Sequence, residues 1–109
     1  MLVEDRVEFD VAVEHLDDRV VVHVEGDLDM ASADAFENAV APVMSSPHVV
    51  LDLSDCTFLD STGMRLIATT VRQASRVSIV AADPGVRRVL EITAVDTMVV
   101  VHTSLEEAL

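Results

Sequence analysis

The chain has 109 residues, 50% of them hydrophobic and only 3% aromatic, and seven arginines face twenty acids for a formal net charge of −13. That much apolar material argues against disorder and suits a single domain over residues 1–109 with an aliphatic core. The acidic field repels phosphate backbones and anionic lipid, and few aromatics are available for base stacking, so neither nucleic acid nor membrane is an expected partner.

One cysteine, Cys56, gives no internal disulfide framework, which fits a reducing compartment. Acids from Glu4 onward argue against a signal peptide, and no apolar run approaches the ~20 residues of a membrane span. A cytoplasmic protein is expected.

In chain order, Val7, Phe9, Val11 and Val13 alternate with polar or small residues, the period of a strand with one wet face. Residues 16–19 read as a turn and 20–25 as a second strand, so the chain opens with an antiparallel hairpin. Residues 26–29 break the pattern. Ser32 or Asp29 then caps a helix running to about Met44, with Phe36, Val40 and Val43 on its core face and Pro42 forcing a bend or an early end. The apolar run 48–53 predicts a central strand buried on both faces, followed by a loop over 54–59. Asp60-Ser61-Thr62-Gly63 opens a helix to about Ala74, with Met64, Ile67, Ala68 and Val71 in one stripe. Residues 77–81 are a further strand. Asp83-Pro84 starts a helix with Val86, Val89, Leu90 and Ile92 inward, and 98–101 are a last strand. Ser104 and Glu107 have capping-box spacing before a short closing helix. Alternation after the hairpin implies an α/β fold: a mixed sheet of about five strands, mostly parallel, with about four helices.

The informative segment is 49–66, in which a buried strand leads to Asp60-Ser61-Thr62-Gly63 at a helix start. With Val24-Glu25-Gly26-Asp27-Leu28-Asp29 and the 82–92 segment Ala-Asp-Pro-Gly-Val-Arg-Arg-Val-Leu-Glu-Ile, it resembles the STAS family, specifically bacterial anti-sigma-factor antagonists. The likeness runs colinearly over about residues 7–105. It implies the STAS fold and phosphorylation on Ser61 by an ATP-binding, kinase-type anti-sigma factor. The bare protein would bind that kinase and free the sigma factor; a serine phosphatase would reset the switch. It implies a contact surface of Asp29, Asp60, Thr62, Gly63, Met64 and Arg65, with no catalysis, cofactor or metal in this chain. A monomer or a weak dimer is expected.

The residue types suit that chemistry. A hydroxyl at a helix N-terminus can cap the helix, and as phosphoserine it still meets the favourable end of the dipole. Phosphorylation adds about −1.5 to −2 charges beside Asp29 and Asp60, against a docked partner. Gly63 would keep bulk away from the hydroxyl. Thr62 is a second candidate acceptor but fits first-turn hydrogen bonding better. Arg65 departs from the small residue common in the family; the expected role is pairing with a phosphate on Ser61 four residues back, with contact to an acid on the partner as the alternative.

Plainer readings stand beside these. Ser61 alone could be only a cap. Asp29 and Asp60 fit solvated or capping carboxylates better than metal ligands. Asp52 within an apolar run would pair with a neighbouring strand or cap a backbone group. His15, His23, His48 and His102 lack ligand spacing and read as strand-edge residues; Cys56 reads as packed, and Arg87-Arg88 as a solvated helix face. Three rival readings differ in what they ask of the chain. A STAS adaptor subunit of a lipid-transport or stress-signalling assembly would leave Ser61 unmodified. A receiver domain would want an acidic pair after its first strand and a late lysine, and this chain has no lysine. A serine hydrolase would want a Gly-x-Ser-x-Gly elbow, which Ser61 lacks.

Overall fold

Period-two alternation needs a sheet with one face dry, and the hairpin supplies it. In the computed structural model, which describes residues 9–93 and 95–109, β1 (Asp10–His15) pairs antiparallel with β2 (Val20–Leu28), Val11 opposite Val24 and His15 opposite Val20. Leu16 N donates to Arg19 O across the turn at 2.9 Å. The expected strand start at Val7 lies outside the described residues.

All later pairings are parallel: β2 with β3 (Val49–Leu59), β3 with β4 (Val77–Ala81), and β4 with β5 (Val101–His102), in spatial order β1-β2-β3-β4-β5. The crossovers carry α1 (Ala33–Val40) with a 3-10 turn (Ala41–Val43), then α2 (Ser61–Gln73), then α3 (Pro84–Ile92) with a second 3-10 turn (Val95–Thr97). Each crossover moves one strand over in the same direction. A constant right-handed sense then lays all of these helices on one face. That face holds the main core: Val22, Val24, Leu51, Leu53 and Ile79 against Phe36, Ile67 and Leu90. The short α4 (Leu105–Ala108) covers Val21, Val50 and Val80 on the other face.

The expected architecture is present, but several boundaries move. β2 does not break at residues 26–29; it runs on to Leu28. Gly26 takes φ 94° at a register shift against β3, a conformation that L side chains rarely adopt. β3 likewise replaces the expected loop over 54–59, because the lengthened β2 gives it a partner: Gly26 opposite Cys56 and Leu28 opposite Leu59. The last strand is only Val101–His102, since Met98 N and Val99 N both bond Val95 O and fold that segment on itself. α1 ends where Pro42 enters the 3-10 turn, as its missing N–H demands. Ile92 is 70% exposed, off the stripe of Val86 and Leu90. The capping box does not close: Ser104 makes no side-chain cap bond, and Glu107 instead accepts from Thr103 N and Oγ1.

Two histidines are not at strand edges. His48 is buried, with Nε2 2.8 Å from Ser78 Oγ. His23 lies mid-strand in β2, with Nδ1 2.7 Å from Asp52 Oδ2 and Nε2 3.0 Å from Glu14 Oε1. Asp52 thus fills both expected roles, since its Oδ1 also accepts from Ser54 N. The bond to Glu14 chiefly raises the His23 pKa; partial burial opposes it and Asp52 adds to it. A raised histidine pKa stabilises the fold fully below the unfolded value of about 6.5, and that contribution fades as pH rises through the folded value. The stability margin of wild type over His23→Gln, read from urea midpoints, is therefore expected to be largest near pH 6 and to shrink toward about pH 9. A margin that grows with pH would contradict this pairing. Burial pushes the His48 pKa down, the opposite sign, but His48 is common to both proteins and cancels in the difference.

Candidate functional site

β2 and β3 end in register, Leu28 opposite Leu59, so Asp29 and Asp60 leave the sheet from adjacent strand ends. This is the carboxyl edge of a parallel sheet, where α/β folds place their sites.

Asp29 makes the first turn. Its Oδ1 accepts from Ala31 N at 2.9 Å and from Ser32 N at 3.2 Å. Ser32 holds the N-cap position of α1 without capping it; the buried hydroxyl donates back to Asp27 O and accepts from Asp29 N. The turn is therefore tied by its own side chains before α1 begins.

Asp60 makes the second turn and is the N-cap of α2: extended backbone at φ −105°, with Oδ1 accepting from Gly63 N at 2.9 Å. Ser61 therefore does not cap the helix, contrary to the plainer sequence reading. It is the first helical residue and exposed, and among the described residues nothing hydrogen-bonds its Oγ. The same holds for the half-buried Thr62, so its expected first-turn bond is not formed. Asp60→Ala removes the cap, which costs about 1 kcal/mol and lowers the melting temperature by about 4–8 °C for a domain of this size. A differential thermal melt in which Asp60→Asn loses as much as Ala would contradict the cap.

Gly63 has a different task from the one expected. It is buried, and a Cβ there would stand 2.3 Å from the Leu28 backbone carbonyl oxygen and 3.2 Å from Leu59 Cδ2. The same carbonyl accepts from Asp60 N. Gly63 thus seats the first turn of α2 on the end of β2, rather than clearing space around the hydroxyl. Met64 is also buried, at 6% exposure, with Thr93 Oγ1 3.8 Å from its sulfur, which ties α2 to α3. Arg65 is exposed. Of the six expected contact residues, Gly63 and Met64 support the surface from beneath; Asp29, Asp60, Thr62 and Arg65 remain accessible wholly or in part.

Two features lie beyond the expected contact residues. Phe58 is 50% exposed on β3 opposite Asp27, and Met30, just past Asp29, is 77% exposed. They are apolar surface beside Asp27 and Asp29. The second feature is a groove of about 500 Å³ that begins at Ser61 and runs between α2 and α3.

Among the described residues no histidine or carboxylate bonds the Ser61 hydroxyl, and Asp60 gives its Oδ1 to Gly63 N. Cys56 is fully buried, and burial raises its thiol pKa, away from the reactive thiolate. Arg87 is partly engaged, donating to Ala81 O, while Arg88 is exposed. Among the described residues no group of three or more metal-ligating side chains converges, and no helix is long and apolar enough to cross a membrane.

The STAS domain model matches residues 10–108. The anti-sigma-F factor antagonist RsfB of Mycobacterium tuberculosis is 29% identical over 94 residues, 82% of this chain and 77% of that protein. The crystal structure of an anti-sigma factor antagonist from Mycobacterium paratuberculosis superposes with TM-score 0.88 at 33% identity, covering 93% of this chain and 91% of the other. The Bacillus cell fate determinant SpoIIAA in its phosphorylated form, at 18% identity and TM-score 0.71 over 91% and 96% of the two chains, shares the fold. The chain belongs to the STAS-domain anti-sigma-factor antagonist family.

Proposed function

We propose that this chain is a cytoplasmic, single-domain, non-enzymatic antagonist that binds a kinase-type anti-sigma factor while Ser61 is bare, so releasing the sigma factor. Phosphorylation of Ser61 by that ATP-binding kinase ends the complex, and a serine phosphatase restores it. The observation that supports this most is the state of Ser61: exposed, unpartnered and relieved of capping by Asp60. A serine needed as a cap would resist modification; this one loses no internal bond when esterified. The phosphate would gather charge beside Asp29 and Asp60 while staying at the favourable end of α2. The switch then works through the interface, with no refolding.

The test is incubation with the candidate kinase and Mg-ATP, followed by mass spectrometry. Phosphate on Ser61 is expected. An acyl phosphate on a carboxylate would favour a receiver. Stable binding to a transporter ATPase with Ser61 unmodified would favour the adaptor.

A further inference from the structure

The groove beside Ser61 has an apolar floor of Leu59, Met64, Ala68, Val89, Val95 and Met98. Met98 is 52% exposed at its border. Two cations, Arg65 and Arg72, stand along its α2 wall. They are seven residues apart, two helical turns, which separates them by about 10.5 Å along the axis on one side of the helix. Both are exposed, and among the described residues neither forms an ion pair. Asp60 is the one acid among the lining residues, against two arginines, and its Oδ1 accepts from Gly63 N. In a chain of net charge −13, this groove is a local reversal of sign.

We propose that the groove seats an acidic amphipathic helix of the kinase-type anti-sigma partner: an apolar ridge on the floor and two carboxylates about two turns apart that meet Arg65 and Arg72. Charge complementarity selects this occupant over a basic one, which would suit the acidic remainder of the surface but not this wall. The apolar floor accounts for affinity and the arginine pair for register. The proposal rests on the partner-switch reading and adds to it the chemistry of the docking element. It also gives Arg65 a role in the unphosphorylated complex, rather than in sheltering a phosphate.

The test measures affinity of the unphosphorylated protein for the kinase that modifies Ser61, by titration calorimetry, for Arg65→Glu, Arg72→Glu and the control Arg76→Glu. Arg76 is exposed outside the groove, just before β4, and carries the same charge change. Each groove variant is expected to bind about tenfold or more weakly, with unchanged melting temperature, while the control stays within about twofold. Arg72 lies eleven residues past Ser61, about 16 Å along the helix, so its variant should raise the KM for phosphorylation and leave kcat unchanged. Groove variants that bind like the control, or a control that weakens equally, would overturn the proposal. So would an Arg72→Glu variant that dissolves a self-dimer while keeping its kinase affinity, since the occupant would then be a second copy. If wild type binds no kinase at all, the partner-switch reading falls and this inference with it; wild-type binding with indifferent arginines sinks this inference alone.

Discussion

Phosphoserine at position 61, or Ser61→Glu, is expected to weaken binding to the anti-sigma kinase by about 100-fold or more, while Ser61→Ala binds within about threefold of wild type. A hundredfold is about 2.8 kcal/mol. Two unit charges about 4 Å apart near a protein surface interact by about 4 kcal/mol, so one poorly placed partner carboxylate or phosphate suffices. The alanine change removes only a hydroxyl with no internal partner, so stability and binding should both survive, though the protein can no longer be switched off. Circular dichroism and melting curves should coincide for all three forms, because α2 keeps its Asp60 cap. Equal kinase affinity for the alanine and glutamate variants, measured in the same buffer, would remove the basis of the switch.

Gly63→Ala is expected to destabilise the fold by about 2–4 kcal/mol, a drop of roughly 10–25 °C in melting temperature. Local preference argues the other way. Alanine in a helix is favoured over glycine by about 1 kcal/mol, and Gly63 sits in the first turn of α2. The new methyl would meet the Leu28 carbonyl at 2.3 Å, a backbone atom held in β2 and engaged by Asp60 N. Either α2 lifts off the strand end, which opens the packing of Met64 and Ile67, or β2 bends. Both cost more than propensity returns. The displacement also moves Ser61, so kinase binding should fall together with stability. A thermal melt in which the alanine protein is as stable as wild type would show that this contact is looser than its geometry implies.

The two results differ in what they require from the chain. Ser61 was singled out by the family resemblance, three motifs in one colinear order, since Asp-Ser-Thr-Gly alone is a weak signal; its position at a helix start was legible because that depends on neighbours in sequence. Its exemption from capping was not legible, since Asp60 and Ser61 are both good caps and only the backbone turn decides which side chain reaches Gly63 N. Arg65 was legible as a neighbour of Ser61 on one helix face. The groove it shares with Val89, Val95 and Met98 was not, because those residues arrive from a different crossover.

The sequence by itself determined the order of elements, the hairpin, the parallel crossovers and the placement of Ser61 at a helix start. Periods of two and near four, together with caps and prolines, are read over a few residues. Only the tertiary structure decided how far β2 and β3 extend, because a strand continues while a neighbour offers partners, and Gly26 at φ 94° lets β2 keep its partner. It alone also decided that Gly63 is there for the Leu28 carbonyl, and that Arg65 and Arg72 flank an apolar floor. Those facts join residues far apart in the chain, and such contacts leave no periodic trace in it.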